Sequence, residues 1–397
     1  MDIKDINKLE DKAIKKGERW IFSAGFNVKP DLKNTRRIDD EIEDIQQITK
    51  AGGIVTILAH QGRQSDGDME HLEFIADYLS QKLGKEVKYF PKNTTCAAIK
   101  FAKKLKAGDV AIMGNTRFHK GEEKNNKKLA KKFSKLGDFI AIGGFNKAHR
   151  KHASNVGILN HRPGFITRSI LKEMELLEPW SGKKEEYSVA ILGGVKKEKI
   201  TVGLVGFSET YDFIIPGGLV LSTILKVKGY EIGDSLIKDS GKTFENPVKE
   251  VLNGQNRDKI YIPSQVFIAE KTAKGFENSK LIDISEGIPE GYGIVDFVLD
   301  EKAENALKKT ANSGGRILLA GTPAVYNQGF KNAIDKCLYY LDKPGVKSII
   351  VGGDSTADIP SQKLKSSGGG SALEFLCKGT TAVYEALIRN KQKFSED

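Results

Sequence analysis

The sequence predicts an α/β protein with two doubly wound, Rossmann-like parallel-sheet domains that are joined by a long helix. Short apolar runs alternate with amphipathic stretches, which is typical of buried parallel strands connected by helices. Glycines stand at the ends of most runs, where tight strand-to-helix turns favour them. With 397 residues, the chain is long enough for two or three domains, each with its own core.

Eight apolar runs are expected to form strands of these sheets. In chain order they are GIVTILAHQGR (53–63), DVAIMGNTRF (109–118), DFIAIGGF (138–145), YSVAILGGVK (187–196), YDFIIPGG (211–218), KIYIPSQVFIA (259–269), GRILLAGTP (315–323) and KSIIVGGDS (347–355). Residues 71–84 and 126–137 have helical periodicity and end at a glycine. Residues 162–186 are expected to form a long helix. We therefore predict an N-terminal domain at 1–165, a linker helix at 166–183 and a second domain at 184–376.

Composition limits the classes of function. Lys+Arg number 63 and Asp+Glu 52, a formal net charge of +11. The most basic segment, 120–137, lacks the interleaved aromatics of a nucleic-acid site, so we expect a solvated helix face and no nucleic-acid partner. Three widely spaced cysteines fit a reducing compartment. The polar start and the lack of a long apolar run predict a cytoplasmic protein without signal peptide or membrane span.

Arginines and histidines follow the apolar runs of the first half. They are Arg37, His60, Arg63, Arg117, His149 and Arg150. Loops at the carboxyl ends of parallel strands share one edge of a sheet, so these side chains are expected to converge. Guanidinium groups bind both phosphate and carboxylate bidentately. The first half therefore predicts a site for a small acid that carries a phosphate as well as a carboxylate.

The loops of the second half carry glycines instead. Pairs or single glycines follow four runs: Gly193 and Gly194, Gly217 and Gly218, Gly321, and Gly352 and Gly353. Their repetition favours anion binding through exposed backbone N–H groups. Lysines at 196, 197 and 199 follow the first pair, and three glycines, 368–370, precede a helical stretch. This half is therefore expected to bind phosphates.

The first-half motifs resemble those of the phosphoglycerate kinase family in order and spacing. GFNVKP, RRID, HQGRQ, GNTRF and AHRKHAS match the family's DFNVP, RI, HLGRP, ENLRF and AHRAHAS. The resemblance implies a 3-phosphoglycerate-type site made by Asn27, Arg37, His60, Arg63, Arg117 and Arg150. It further implies that Arg37 steadies the carboxylate and the phosphoryl group in transfer.

The second-half motifs resemble the family's nucleotide site. AILGGVKKEKI matches ILGGAKVSDKI, which implies that Lys196 corresponds to the family's first catalytic lysine and that Lys199, with Lys197 as the alternative, corresponds to the second. KSIIVGGDSTAD implies that Asp354 contacts Mg²⁺ through the nucleotide phosphates, with Ser355 beside it. Gly368, Gly369 and Gly370 imply a helix dipole that faces the transferring phosphate. The implied nucleotide-binding residues for Mg²⁺ and ATP/ADP are Gly193, Gly194, Lys196, Lys199, Gly217, Gly218, Gly321, Asn327, Gly353, Asp354 and Ser355.

Several positions depart from the family's pattern. The substrate-hydroxyl aspartate is Gly25, the arginine before it is Ser23, and the ribose-binding glutamate is Asn327. Other changes are Gly114, Pro216, Ala320, Val351 and the segment AIGGFN at 141–146. Groups that bind phosphate and carboxylate remain, whereas groups that bind the hydroxyl and the nucleoside are altered.

The sequence therefore predicts a kinase that phosphorylates the carboxylate of a small phosphate- or phosphonate-bearing acid, with a substrate altered from 3-phosphoglycerate. One alternative is the ordinary glycolytic enzyme in a divergent lineage, and another is a catalytically weak paralogue with a binding or regulatory role. The acyl phosphate product would suit a dehydrogenase or ligase partner. By resemblance, we expect a monomer whose tail, 377–397, packs back on the N-terminal domain.

Overall fold

The chain divides into two units, each with its own parallel sheet. The first unit comprises Met1–Leu176 and Thr380–Asp397, and the second comprises Leu177–Gly379. The structure, a computed structural model, describes residues 6–235, 241–352, 359–366 and 368–394. In the part of the chain so described, no helix combines the length and the apolar content needed to cross a bilayer.

Six parallel strands form the sheet of the first unit. They are β1 (Arg19–Ser23), β2 (Ile54–Ala59), β3 (Val87–Phe90), β4 (Val110–Asn115), β5 (Phe139–Ile142) and β6 (Gly164–Ile166). Their order in the sheet is β3-β4-β2-β1-β5-β6. Every residue of β2 and β4 is buried, which is why both are continuous apolar runs.

Helices cover this sheet through apolar stripes and begin at recognisable caps. They are α1 (Arg36–Asp39), α2 (Ile42–Lys50), α3 (Glu73–Leu83), α4 (Cys96–Lys104), α5 (Lys127–Phe133) and α6 (Arg168–Leu177). The Thr95 side chain caps α4 by accepting from the Ala98 N–H, and Asn126 caps α5 in the same way. Trp20, Phe22 and Ile57 lie in the core between sheet and helices.

The second unit contains a five-stranded parallel sheet and a three-stranded antiparallel sheet. Its strands are β7 (Ser188–Leu192), β8 (Phe213–Pro216), β9 (Gln265–Thr272), β10 (Gly275–Asp283), β11 (Tyr292–Phe297), β12 (Arg316–Ala320), β13 (Lys347–Val351) and β14 (Leu364–Ser366). The parallel order is β14-β13-β12-β7-β8, and the antiparallel order is β10-β9-β11. The prediction of an α/β fold with parallel sheets is confirmed.

Helices connect the strands of this unit. They are α7 (Val205–Thr210), α8 (Gly218–Val227), α9 (Gly241–Asn253), α10 (Glu301–Asn312), α11 (Asn332–Leu341) and α12 (Gly370–Lys378). A π-helical turn, Lys199–Leu204, leads directly into α7. Such turns are rare and occur frequently at functional sites.

The C-terminal helix, α13 (Ala382–Phe394), belongs to the first unit. Its Asn390 side chain accepts from Gly164 N at 2.7 Å and donates to Leu159 O and Arg162 O at 2.5 and 2.8 Å. At the start of the helix, Val383 N donates to Ala148 O at 3.0 Å. The segment therefore contacts both β6 and the loop that follows β5.

Two predicted elements are wrong in part. The segment 259–269 contacts the parallel sheet only at its start, where Tyr261 N donates to Ile214 O, and it continues after Pro263 as antiparallel β9. The helix expected over 162–186 is shorter, because Gly164–Ile166 pairs with β5 and α6 ends at Leu177, before a 3-10 turn that contains Pro179. Proline has no N–H to continue the helical ladder.

Candidate active site

The basic residues of the first unit lie at the carboxyl edge of its sheet. His60 follows β2 directly, and Arg117 lies in a 3-10 turn, Thr116–Phe118, directly after β4. The Asn115 side chain joins the two segments, since Nδ2 donates to Gln61 O at 2.8 Å and Oδ1 accepts from Arg117 N at 2.9 Å. The strand ends therefore hold His60 and Arg117 in one group.

Arg117 is a fully buried cation whose hydrogen-bonding capacity is largely unused. Its side chain forms an ion pair with Glu123, but Nε and Nη2 have no hydrogen-bond partner among the described residues. Burial first, and then the charge of Arg150, lowers the pKa of the guanidinium to about 10. An unsatisfied buried cation is costly, so this group is suited to an anionic ligand.

Two histidines in this group are neutral. Burial, followed by the charges of Arg117 and Arg150, holds the pKa of His60 well below its usual value. The same causes lower the pKa of His152 to about 3. His152 is largely buried, with Nδ1 at 4.0 Å from Glu122 Oε1. Neutral imidazoles offer hydrogen bonds here without adding to the cationic charge.

The other predicted acid-site residues differ in exposure. Arg37 Nη1 donates to the backbone oxygen of Asn27 at 2.6 Å, and Asn27 Oδ1 accepts from Gly62 N at 3.2 Å. Arg63 is exposed and lies 3.9 Å from an Asp66 carboxylate oxygen. Arg150 is close enough for its charge to act on both Arg117 and His60. Asn27 is thus linked directly to the loop after β2, and Arg37 is linked to it through Asn27.

The sequence did not predict that three charged residues near this group are buried. They are Glu41, Glu122 and Lys147. Lys147 Nζ donates to Ser23 Oγ at 2.9 Å and to Asn155 Oδ1 at 2.7 Å. Glu41 and Glu122 belong to the charged runs DDEIED and HKGEEK, which are typical of solvated surface. Only the adjacency of Lys147 to AHRKHAS signalled its importance.

Gly25 lies in a space that its neighbours already fill. A Cβ at Gly25 would stand 2.6 Å from Asn146 Oδ1, 2.7 Å from Gly144 Cα and 3.0 Å from Glu41 Oε1. The backbone is held there by two bonds, Gly25 N to Glu41 Oε1 at 2.8 Å and Asn146 Nδ2 to Gly25 O at 3.0 Å. The position where the family has an aspartate is therefore closed to any side chain.

The glycines of the second unit bring strand ends into backbone contact. A Cβ at Gly193 would lie 2.0 Å from Thr322 O, one at Gly217 would lie 2.3 Å from Pro323 O, and one at Gly218 would lie 2.7 Å from Gly194 O. Four backbone N–H groups already donate internally: Gly193 to Ala320 O, Gly217 to Leu192 O, Gly218 to Pro323 O and Gly321 to Val351 O. The expectation that these N–H groups are exposed for anion binding is wrong for these four.

The two lysines of the glycine loop differ in environment. Lys196 is exposed, whereas Lys199 is buried and its Nζ donates to Ala320 O at 2.8 Å. Burial, followed by the charge of Lys196, lowers the pKa of Lys199 to about 7. A Cβ at Gly321 would lie 3.1 Å from this ammonium, so the glycine leaves room for it. Lys197 is exposed.

The remaining predicted nucleotide residues are placed as follows. Asn327 lies exposed in the 3-10 turn Tyr326–Gln328. Gly368 N donates to Ser366 Oγ at 3.2 Å, Gly369 has a φ of +55°, and α12 begins at Gly370. Gly353, Asp354 and Ser355 lie outside the described residues.

The residue predicted to contact the metal, Asp354, lies outside the described residues. Within 6–235, 241–352, 359–366 and 368–394, no group of three or more His, Cys, Asp or Glu side chains is arranged to hold a metal ion. Mg²⁺ is commonly held by one or two carboxylates together with substrate phosphates. Lys199 and Lys196 stay the residues predicted to provide positive charge for those phosphates.

Comparison with known proteins gives the same family throughout. The family model described as phosphoglycerate kinase matches residues 11–385. Phosphoglycerate kinase of Thermosipho africanus is 33% identical over 394 residues, covering 95% of this chain and 96% of the relative. That of Staphylococcus haemolyticus is 32% identical over 384 residues, covering 91% and 94%.

Solved structures show the same fold. Phosphoglycerate kinase from Pyrococcus horikoshii superimposes with a TM-score of 0.77, covering 98% of this chain and 100% of that one at 24% identity. The enzyme from Coxiella burnetii gives a TM-score of 0.73 over 96% and 98%, also at 24% identity. Because the family model and close relatives match nearly the whole chain, this protein belongs to the phosphoglycerate kinase family.

Proposed function

We propose that this phosphoglycerate kinase family member phosphorylates the carboxylate of a small phosphate- or phosphonate-bearing acid other than 3-phosphoglycerate. Family membership makes it an ATP-dependent kinase with a carboxyl acceptor and Mg-nucleotide as cosubstrate. One observation supports a substrate other than 3-phosphoglycerate: the space at Gly25 is taken by Asn146, Gly144 and Glu41. Position 25 itself therefore supplies no side chain that could accept a hydrogen bond from a substrate hydroxyl, and a hydroxyl left without a partner is disfavoured.

The acid is bound in this proposal by the basic group of the first unit. Its members are Asn27, Arg37, His60, Arg63, Arg117 and Arg150. The unused donors of Arg117 suit a phosphate or a carboxylate, which can accept two parallel N–H bonds. Neutral His60 donates or accepts without adding charge.

The nucleotide is bound by the second unit. Its proposed residues are Gly193, Gly194, Lys196, Lys199, Gly217, Gly218, Gly321, Asn327, Gly353, Asp354 and Ser355. The close-packed glycines make a surface without side chains, and Lys199, at a pKa of about 7, can gain a proton when a phosphate approaches. When bound through Asp354, Mg²⁺ would neutralise phosphate charge.

Phosphoryl transfer then requires positioning and electrostatic stabilisation rather than a covalent enzyme intermediate. A carboxylate oxygen attacks the γ-phosphorus, the bond to the β-phosphate oxygen breaks, and ADP leaves with an acyl phosphate formed. Arg37, Lys196, Lys199 and the helix start at Gly368, Gly369 and Gly370 would stabilise the moving charge. A reactive acyl phosphate suits consumption by a dehydrogenase or ligase, and the cytoplasmic, monomeric state stays a prediction.

The second candidate acceptor is 3-phosphoglycerate itself. It is favoured by the 33% identity to the Thermosipho africanus enzyme over 95% of this chain. In that case the hydroxyl would be bound by groups other than a side chain at position 25. The predicted weak, regulatory paralogue is the third possibility, and it would bind nucleotide with little turnover.

A screen of acids with ATP decides between these functions. Purified protein is incubated with phosphorylated and phosphono-carboxylates, and hydroxylamine traps any acyl phosphate. We expect another acid to exceed 3-phosphoglycerate in kcat/KM by at least about tenfold. If 3-phosphoglycerate is the best acceptor, the altered-substrate proposal fails. If no acid reacts while ATP binds, the regulatory role is favoured.

A further inference from the structure

Lys147 is a buried ammonium that ties the end of β1 to the loop after β5. It lies in the 3-10 turn Phe145–Lys147 and is 5% exposed. Its Nζ reaches Ser23 Oγ at 2.9 Å, and that hydroxyl donates to Ser154 O at 2.8 Å. No carboxylate forms an ion pair with it within the described residues. The ammonium is therefore held by neutral oxygen atoms.

The same ammonium organises the segment that carries Arg150 and His152. Lys147 Nζ donates to Asn155 Oδ1 at 2.7 Å, and Asn155 Nδ2 donates back to Lys147 O and Arg150 O at 3.0 and 2.8 Å. Further along, Ser154 N and Oγ donate to the buried Glu122 carboxylate at 3.1 and 2.5 Å. The loop is thus fixed by a cation at one end and a carboxylate at the other.

Lys147 also interacts electrostatically with members of the basic group. Its charge acts on His60 and His152, which the charges of Arg117 and Arg150 also affect. The charged groups that face Lys147 are Glu41 from the segment before α2, Glu122 from the loop after β4, and Arg150 from its own loop. Burial lowers the pKa of Lys147, and Glu41 and Glu122 oppose that shift.

Glu41 and Lys147 are two buried groups of opposite charge that act on each other. Asp44 and Asp40 are the acidic groups beside it, and burial raises the pKa of its carboxyl while Lys147 lowers it. Its Oε1 accepts from Gly25 N, whereas Oε2 has no hydrogen-bond partner in the described part of the chain. Burial thus favours the neutral form of the Glu41 carboxyl, so it only partly compensates the positive charge of Lys147, which remains available to an anion in the basic group.

We propose that Lys147 is a positioning residue of the acid site, which strengthens anion binding by adding a buried positive charge near Arg150 and by fixing the loop that carries Arg150. This inference rests on the proposed location of the acid site, but not on the identity of the acid. Lys147 would thereby contribute to the affinity for the anionic part of the substrate.

Inorganic sulfate tests the proposal without turnover or nucleotide. Sulfate keeps its charge between pH 6 and 9, so any pH dependence of its binding comes from the protein. The chain has 6 histidines, and the NMR signals of His60 and His152 report binding near Lys147, while those of His119 and His161 report the fold elsewhere. For Lys147→Met we expect about tenfold weaker sulfate binding at His60 and His152, because a charge nearby in a partly buried site is removed.

The pH profile separates charge from structure. In the unaltered protein, sulfate affinity should fall as pH rises from 7 to 9, because a lysine with a lowered pKa loses its proton in that range. This fall should be much smaller in Lys147→Met. Ser23→Ala is the matched control: it removes one bond of the ammonium but keeps the charge, so the fall should persist. A merely structural lysine would give the two variants the same profile.

A second variant guards against misfolding. Glu41→Gln with Lys147→Met removes both buried charges and should keep the His119 and His161 signals unchanged while binding sulfate as weakly as the single variant. If either folded variant binds sulfate as tightly as the unaltered protein, with the same pH profile, the proposal is overturned. Because no acid substrate is used, that result leaves the proposed kinase function untouched.

Discussion

At the scale of single residues, the space beside Gly25 in the proposed acid site is filled by neighbouring groups. Gly25 leaves no opening, because Asn146 Oδ1 and Glu41 Oε1 both lie close to the place where a Cβ would stand. Gly143 and Gly144 permit this approach: a Cβ at Gly143 would lie 2.3 Å from Glu41 Oε2, and one at Gly144 would lie 2.5 Å from Gly25 Cα. The glycines and Glu41 therefore form one packed arrangement.

Restoring an aspartate at position 25 should destabilise the protein. Gly25→Asp places a Cβ 2.7 Å from the Gly144 backbone and a new carboxylate beside buried Glu41. Gly25→Ala is the matched control for the Cβ alone, with an expected loss of about 1–3 kcal/mol from overpacking. Urea unfolding measures both. A Gly25→Asp variant no less stable than Gly25→Ala would show that the space can open.

Lys199 should make stability depend on pH. Its folded pKa of about 7 lies below the value of 10.5 for an unperturbed lysine, so between these values the unfolded chain binds more protons. The free energy of unfolding should therefore rise with pH across this range through this group, by about 1 kcal/mol per pH unit. Comparing unaltered protein with Lys199→Met from pH 7.5 to 9.5 isolates the effect. An unchanged difference between them would contradict the lowered pKa.

At the scale of elements, the repeated glycines at strand ends have a structural role that differs from the predicted one. They were expected to expose N–H groups, yet Gly193, Gly217 and Gly218 mainly allow the loops after β7, β8 and β12 to touch backbone to backbone. Sequence shows that a position lacks a side chain. Whether the space is used by a ligand or by another loop depends on what the fold places opposite.

Helix α13 should stabilise the first unit through one amide. Asn390→Ala leaves Gly164 N, Leu159 O and Arg162 O without their partner. Because buried groups left unsatisfied are costly, we expect a loss of about 2–3 kcal/mol in the free energy of unfolding. Gln392→Ala, on an exposed face of the same helix, should change stability little. Equal losses in the two variants would mean that Asn390 has no special role.

At the scale of the whole molecule, each unit contains one of the 2 tryptophans. Trp20 is buried in the first unit and Trp180 in the second. In a Trp180→Phe variant, only Trp20 remains, so tryptophan fluorescence follows unfolding of the first unit. In a Trp20→Phe variant, only Trp180 remains, and the fluorescence follows the second unit. Adding Asn390→Ala should lower the urea midpoint of the Trp20 signal and leave that of Trp180 unchanged. Equal shifts in both signals would show that the two units unfold together.

Much of the fold was predictable because it depends on local pattern. Continuous apolar runs located β2, β4, β7 and β12, since strands buried on both faces need apolar residues throughout. The end of α6 and the antiparallel β9 were missed. Their boundaries depend on pairing partners, such as Gly164–Ile166 on β5, that no local pattern reveals.

The sequence by itself determined the α/β class, the family and the strand ends that carry Arg117, His60 and Lys196. Only the tertiary structure decided that Lys147, Glu41 and Lys199 are buried, that the space at Gly25 is filled, and that most glycine N–H groups are already engaged. The physical reason is that periodicity is local, whereas the burial of a charge depends on distant partners. Lys147 and Ser23, 124 positions apart, meet at one hydrogen bond.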